Sequence, residues 1–518
     1  MRTKFAASFM EKLEKLVNDP FRTVVFFAVL LTIFYTVQCA LLQNVLGLDV
    51  LEAVSWGAQG TLGNAKHPPL SGWLAYGISF MGNHKDWIMY LAAQLCLVIG
   101  VVYIYRTAKL FFNDYAAGTA ALLSYFLFYY NPSETRFCTY PVEMMLVPLA
   151  GYNFFRALQE NKLINWIALG IFCGAGLLNK YSFALVLLAF GIIMLRRKSN
   201  RQRLKSIKPY CAALIVLLII IPHLQWLYEH DFVCLKHVSN RLSDEYKWYT
   251  PLVTLATALY PYGMMALVLL LALLPDFRSR GRISIQKQIG YDAALIALIP
   301  AAVLVILSFF GDIIMMWFCS MASLTGVMLI SFFPWEIDRK FFSRVVVLLA
   351  LFSLGMMTGT TLDLLCKSQP RVHSDPQSYT IAAQKFNNQY NPLYRISVVV
   401  GTRFEATLLE KYLPHHPPAC EVDDPVALEL YRKKIRTEGA LLIAPGNRKD
   451  RPPEKIFENF FQEIGCTQPV IFEKHTYYYQ AKFGKKKKRI YYLGFLPPQE
   501  PSNRKPDNVI NTNVLPEK

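Results

Sequence analysis

Long apolar runs, separated by short polar or basic loops, fill the first two thirds of the chain. A helix needs about 20 mainly apolar residues to cross a membrane. We predict a polytopic α-helical membrane protein with about eleven transmembrane helices, at residues 24–43, 87–105, 115–130, 142–157, 164–179, 181–195, 209–227, 251–274, 290–310, 313–332 and 344–363.

The chain becomes much more polar after residue 363. The run from Arg395 to Leu413 predicts a strand, a turn at Gly401 and a helix, and the run ALLIAPG predicts a second strand. We therefore expect a transmembrane domain over residues 1–363, followed by a small α/β domain over residues 364–497.

Three features of the C-terminal part remain. The segment YYYQAKFGKKKKRIYYLGFL predicts a β-hairpin with a basic tip at Lys485–Arg489. This tip either is solvated and prevents edge-to-edge aggregation of the sheet, or binds an anionic surface or glycolipid. Residues 498–518 are rich in Pro, Asn and charge, which predicts a disordered tail. Cys420 and Cys466 share the predicted α/β domain, so they are either joined by a disulfide or free.

The charges of the loops predict the orientation in the membrane. Basic residues cluster in four loops, and with eleven spans all four lie on the side of the N-terminus: Arg106 and Lys109, Arg196–Lys208, Arg278–Lys287, and Arg339 with Lys340. Cytoplasmic loops are enriched in Lys and Arg, so we expect a cytoplasmic N-terminus and an outward-facing C-terminal domain.

Composition supports this class of protein. Of the 518 residues, 54% are hydrophobic and only 17% are charged, whereas an ordinary soluble protein has roughly 25% charged residues. The net charge of +18 suggests nucleic acid in a soluble protein, but basic cytoplasmic loops account for it here. We therefore expect membrane lipid, and no nucleic acid, among the partners.

The first outward-facing loop, residues 44–86, carries the richest polar chemistry. Asp49 and Glu52 are three residues apart and share one face if the segment is helical. Lys66 and His67 follow, before two prolines. A carboxylate here could act as general base on an acceptor hydroxyl, and the cations could neutralise a phosphate. The alternative for the two carboxylates is helix N-capping and solvation.

Several motifs in the same order resemble one enzyme family. The chain carries D-x-x-E-A-x-x-W-G from Asp49, K-H-P-P-L from Lys66, GLLNKYSF from Gly176, PHLQWLYEHDF from Pro222, Trp317 near a span start, and GTRFEATLLEKYL from Gly401. Together they resemble the bacterial C-superfamily glycosyltransferases related to protein O-mannosyltransferases, a group that includes the aminoarabinose transferases of lipid A.

The resemblance implies roles for the outer-loop residues. It makes Asp49 the catalytic base and Glu52 a supporting acidic residue. It places Lys66 and His67 near the phosphate of a lipid-linked donor, together with Lys180, which matches the family lysine of the K-Y pair.

Four further residues are expected to bind substrate. Relatives carry Asp or Asn five positions before the proline of the following span, whereas this chain has Glu143 before Pro148. Arg136 could neutralise charge, although a surface ion pair with Glu134 is the alternative. His223 and Trp226 are expected near the groove for the donor lipid, and an interfacial aromatic belt is the alternative for the tryptophan.

The resemblance implies a direct displacement, with inversion of the anomeric centre, from a polyprenyl-phosphate sugar. The acceptor would be lipid A, another glycolipid, a polysaccharide or a protein, at the outer face of the bacterial inner membrane. No metal ligands are predicted, but the outward carboxylates leave a divalent cation open. The alternatives are a transporter or flippase of lipid-linked sugars, which predicts charges within the spans or an inverted repeat, and a non-catalytic scaffold.

Overall fold

The apolar runs of the sequence form helices in the computed structural model, which describes residues 14, 17–131, 135–243, 247–311, 313, 315–318, 320–446, 453–466, 469–501, 504 and 506–507. The α-helices in the first two thirds are α1 Pro20–Leu42, α2 Leu48–Gln59, α3 Leu70–Met81, α4 Trp87–Lys109, α5 Asp114–Leu122, α6 Thr139–Glu160, α7 Leu163–Asn179, α8 Phe183–Arg196, α9 Lys198–Arg201, α10 Lys208–Glu229, α11 Val233–Ser243, α12 Thr250–Leu273, α13 Lys287–Leu307, α14 Thr325–Phe332 and α15 Arg339–Cys366.

The remaining helices and all five named strands follow α15. The helices are α16 Pro370–His373, α17 Pro376–Tyr390, α18 Arg403–Tyr412, α19 Pro425–Glu438 and α20 Glu454–Ile464. The strands are β1 Val399–Gly401, β2 Ala419–Glu421, β3 Ala440–Pro445, β4 Phe472–Tyr479 and β5 Lys487–Leu496.

The chain folds into two compact units. A helical unit comprises Met1–Cys39, Lys66–Ser71 and Trp87–Thr361. A mixed unit comprises Ala40–Ala65, Gly72–Asp86 and Leu362–Lys518. The outer-loop segments that carry Asp49 and Glu52 therefore belong to the mixed unit, whereas Lys66 and His67 belong to the helical unit.

Six helices in the described part of the chain are long and apolar enough to cross a membrane: Pro20–Leu42, Trp87–Lys109, Lys208–Glu229, Thr250–Asp276, Lys287–Leu307 and Arg339–Cys366. Three shorter apolar helices lie at Leu163–Asn179, Phe183–Arg196 and Ala322–Phe332. The chain is thus mostly helical, with several candidate spans, and the total of eleven stays a prediction.

Two predicted spans are not continuous α-helices, which corrects the sequence prediction for 115–130 and 313–332. The first is α-helical only to Leu122 and continues as short 3-10 helices to Tyr130. The second begins with 3-10 helices and becomes α-helical at Thr325. Irregular backbone at membrane depth is tolerated where protein surrounds it. At Asn131, the side-chain amide satisfies the carbonyls of Tyr125 and Leu127, at 2.8 Å each.

The two interrupted segments approach each other closely. A Cβ atom built on Gly326 of α14 would lie only 2.2 Å from the carbonyl oxygen of Ala120 in α5. Only glycine permits this approach, as small residues do wherever membrane helices pack backbone to backbone. The hydropathy of the sequence does not reveal such a contact.

The mixed unit contains a five-stranded sheet in the order β2-β1-β3-β5-β4. Strand β1 pairs in parallel with β2 and β3, with Val400 opposite Cys420 and Leu442. Parallel neighbours need crossover helices, and α18 and α19 supply them. The strand and helix predicted between Arg395 and Leu413, and the ALLIAPG strand, are confirmed. Cys420 and Cys466, both within the described residues, are not joined by a disulfide.

The basic hairpin is also confirmed, because β4 and β5 pair antiparallel with Tyr479 opposite Lys487. Of the predicted disordered tail, most residues lie outside the described part. Those described include Asp507, which accepts a hydrogen bond of 2.7 Å from the backbone amide of Arg395.

Candidate functional site

The outer-loop carboxylates lie on the helix α2, which meets the condition under which they could share a face. Asp49 is half-buried in the first turn of α2, where the helix dipole favours a negative charge. Glu52 lies one turn later and is only 5% exposed. Gly47 occupies the N-cap position without a side-chain hydrogen bond. The alternative of capping and solvation is therefore wrong for Glu52, which is a buried carboxylate.

Glu52 is paired with an arginine that the sequence did not single out. The Nε of Arg403 lies 3.7 Å from Glu52 and 3.6 Å from Glu421. Arg403 begins α18 directly after β1, so the strand end sets the position of its side chain. A buried carboxylate needs such a partner because desolvation otherwise disfavours its charge. The only sequence signal was the position of Arg403 after the Gly401 turn.

A cavity of about 250 Å³ opens beside this ion pair. It lies at the carboxyl ends of β1 and β3, where ligands bind in open α/β sheets. Its charged lining residues are Arg371, Arg403, Glu405, Glu421, Asp423 and Arg489. Glu405 is held by a 2.6 Å hydrogen bond from the Thr402 hydroxyl and an ion pair of 2.8 Å to Arg489.

The C-terminal end of α18 binds both ends of the outer loop, residues 44–86. The Tyr412 hydroxyl donates to Asp86 at 2.6 Å and accepts from the backbone amide of Leu46 at 3.0 Å. Lys411 pairs with Asp86 at 3.4 Å. Burial lowers the pKa of Lys411 and raises that of Asp86, while their attraction opposes both shifts. Within the mixed unit, α18 thus fixes the segment that carries Asp49.

Glu410 adds a titratable group to this contact. Burial raises the pKa of its carboxyl to about 7, against partial compensation by the Ser55 hydroxyl and the Ala419 amide. An unfolded glutamate ionises near pH 4.5, so the folded state binds the proton more tightly. The contribution of Glu410 to stability should be highest below pH 4.5, decline as the pH rises towards 7, and level off above that value.

We predict that Glu410→Gln removes this pH dependence. Thermal unfolding midpoints of the full-length protein in detergent, from pH 5 to 8, should fall with pH by the equivalent of up to about 3 kcal/mol in the wild type. The variant should show a flatter profile because glutamine does not ionise. Equal slopes for the two proteins would show that Glu410 does not titrate in this range.

In the helical unit, Glu143 and Lys180 form an ion pair. Glu143 lies inside α6 and is only 2% exposed. One of its oxygens lies 3.3 Å from the Lys180 ammonium and the other accepts a 2.7 Å hydrogen bond from Ser182. The ammonium also lies 4.6 Å from the centre of the Tyr140 ring. The structure therefore brings together two of the predicted residues and adds Ser182 and Tyr140, which the sequence reasoning missed.

A second cluster in this unit contains His223 and Trp226. His223 is 1% exposed and shares a 2.7 Å hydrogen bond with the Tyr181 hydroxyl. Its ring stacks with Trp226, which stacks in turn on His230 with ring centres 4.2 Å apart. Because Trp226 is buried, the alternative of an aromatic belt facing lipid is wrong for it. Tyr181 follows Lys180 in the chain, so one turn contributes a side chain to each of the two clusters.

The other predicted residues of this unit lie in loops. Lys66 is buried, and the carbonyl of His67 accepts a weak hydrogen bond from the Cys234 thiol at 3.8 Å. Arg136 is half-buried, and its suggested partner Glu134 lies outside the described residues. Among the residues that the structure describes, no three His, Cys, Asp or Glu side chains are grouped to hold a metal ion.

Comparisons with known proteins find sequence similarity to glycosyltransferases. Residues 66–226 match the family model described as dolichyl-phosphate-mannose-protein mannosyltransferase. Two lipopolysaccharide core galacturonosyltransferases of Rhizobium johnstonii also match. RgtB is 28% identical over 190 residues, 36% of this chain and 38% of that protein. RgtA is 24% identical over 213 residues, 40% of this chain and 42% of that protein. The matches span about two fifths of these relatives' length.

The fold as a whole is similar to the crystal structure of ArnT from Cupriavidus metallidurans bound to undecaprenyl phosphate. The TM-score is 0.55 at 14% sequence identity, covering 91% of this chain and 97% of that one. This likeness concerns the fold of the two chains. The match to the mannosyltransferase family model and the similarity to the ArnT fold confirm the resemblance found in the sequence.

Proposed function

We propose that this protein is an integral-membrane glycosyltransferase that moves a sugar from a polyprenyl phosphate to an acceptor in the bacterial envelope. The observation that carries the proposal is the Glu143–Lys180 pair, a lysine held by a buried carboxylate within a unit of apolar helices. Cations that are oriented in advance in a water-poor site stabilise developing negative charge far better than cations in water.

The leaving group defines what the helical unit must supply. A phosphate needs little protonation to leave, but the charge that develops on it must be neutralised. We assign this role to Lys180, Lys66 and His67, with Arg136 as a further cation. Glu143 and Ser182 position Lys180, and we place the donor lipid near His223 and Trp226.

The attacking hydroxyl needs a base, and we assign this role to Asp49. Asp49 is only half-buried in the first turn of α2, which suits a group that must reach an acceptor. Glu52 is buried against Arg403 and serves as a positioning residue in this scheme. A single displacement inverts the anomeric centre.

We further propose eleven spans, a cytoplasmic N-terminus and a C-terminal domain on the outer face of the inner membrane. Two relatives are named as lipopolysaccharide core transferases, which favours lipopolysaccharide as the acceptor here. The sugar, a hexose or a pentose, is left to experiment.

The proposal is tested by mass spectrometry of envelope glycolipids and glycoproteins. Cells lacking the protein should lose a sugar-sized mass from one envelope component, and wild-type protein should restore it. The restored mass identifies both the sugar and the acceptor. An unchanged envelope would contradict the proposal and favour a transporter or a scaffold.

Arg403→Gln offers a test of the positioning role. The change leaves Glu52 buried without its cation, so we expect transfer to fall by roughly 10-fold, with a smaller loss for Arg403→Lys. The measurement is kcat/KM for the acceptor. Arg432→Gln in α19 is the matched change, because the Arg432 side chain is 43% exposed, against 42% for Arg403, and also pairs with a glutamate. Full activity in Arg403→Gln would remove this arginine from the scheme.

A further inference from the structure

The tip of the β4–β5 hairpin combines lysines with an exposed aromatic ring. Residues 482–489, KFGKKKKR, contain six basic residues and no acidic one. Phe483 is 70% exposed, and the Lys482 ammonium lies 5.7 Å from the centre of its ring. Lys486 lies 4.5 Å from the ring centre of Tyr478, which is exposed as well. Such a surface presents apolar area and positive charge side by side.

Hydrogen bonds of the backbone and of the Ser368 side chain hold this tip against the end of α15. The amide of Phe483 donates to the carbonyl of Leu365 at 2.8 Å. The Ser368 hydroxyl donates to the carbonyl of Lys485 at 2.7 Å and accepts from the amide of Ala481 at 3.0 Å. At Gly484, an added Cβ would lie 2.4 Å from that hydroxyl. The position of the tip relative to the last turn of α15 is therefore fixed.

Helix α15 determines where this contact lies relative to the membrane. It is one of the candidate spans, and its uncharged stretch runs from Val345 to Leu362. Asp363 and Lys367 then form an ion pair that is largely exposed. A spanning helix reaches the headgroup region where its apolar stretch ends. Leu365, and the Phe483 backbone bonded to it, therefore lie at headgroup level.

We propose that this tip binds the surface of the bilayer through anionic phospholipid headgroups. The lysines Lys482 and Lys485–Lys488 contact the phosphates, and the Phe483 ring enters the interface, where aromatic side chains are enriched. Lysines near an anionic leaflet and one inserted apolar group reinforce each other. A tip that served only to prevent edge pairing would need the lysines but not the exposed ring.

The proposal can be tested without measuring activity. Full-length protein carrying Phe483→Trp is reconstituted into vesicles of phosphatidylcholine and phosphatidylglycerol that contain lipid brominated at carbons 6 and 7. The added fluorescence, relative to wild type, should be quenched by at least half. Ile471→Trp is the matched control, since Ile471 is 65% exposed but precedes β4 at the end away from the tip. We expect little quenching there.

The role of the lysine charges is tested in the same Phe483→Trp protein. Changing Lys485, Lys486 and Lys488 to Gln should reduce the quenching at least twofold with an unchanged melting temperature, because these side chains are exposed. Lys487 is left in place, since its ammonium donates to the carbonyl of Ser368 at 3.3 Å. No quenching at position 483 would overturn the proposal. Equal quenching in pure phosphatidylcholine would overturn the role of anionic headgroups. Quenching that needs lipid A, and not phosphatidylglycerol, would show that the occupant is the glycolipid.

Discussion

Asp49→Asn is expected to lower sugar transfer by about 10²- to 10⁴-fold, the usual contribution of a positioned general base. Asparagine keeps the shape of the side chain and its place in the first turn of α2, but it cannot accept the proton of an attacking hydroxyl. The measurement is transfer by purified protein in lipid vesicles, with the mass of the envelope acceptor as a second readout in cells.

Controls separate catalysis from folding. Because Asp49 is half-exposed, we expect normal membrane insertion and a melting temperature within about 2 °C of wild type. Glu52→Gln is the matched neighbour, and it should lose less activity since glutamine keeps the size of the side chain and a polar oxygen beside Arg403. If Glu52→Gln abolished transfer while Asp49→Asn remained active, the base would be Glu52 and our assignment of Asp49 would be wrong.

The sequence predicted most of the helices because crossing a membrane leaves a strong apolar signal. It did not predict the interruptions at Leu122 and Thr325. Apolar residues fill both a continuous span and a broken one, and the break depends on tertiary partners such as the Asn131 amide and the Gly326 contact.

Short motifs select candidate residues such as Asp49, Glu52 and Lys180, because each motif is local in sequence. Their roles stay predictions. The pairs Glu52–Arg403 and Glu143–Lys180 join distant parts of the chain, so spacing along the sequence cannot show them. Trp226 illustrates the same limit, since a tryptophan near the end of a span fits a lipid-facing belt and a buried stack equally well.

The Glu143–Lys180 pair gives the second large prediction. Lys180→Gln removes a cation from the donor site and leaves Glu143 buried beside an uncharged side chain. Breaking one partner of a buried pair costs about 3–5 kcal/mol, so the melting temperature should fall clearly. Transfer should fall by about 10²-fold beyond that, because the developing charge on the phosphate loses a fixed donor.

The double variant Glu143→Gln/Lys180→Gln distinguishes a structural pair from a catalytic one. With both charges removed, no uncompensated carboxylate remains, and Ser182 can still bind the amide of residue 143. The melting temperature should therefore recover most of its loss, while kcat/KM for the lipid-linked donor stays about 10²-fold below wild type. If activity recovered together with stability, the pair would only help α6 to pack against the chain at Lys180. Other cations would then have to neutralise the phosphate, and Lys66 would be the first to test.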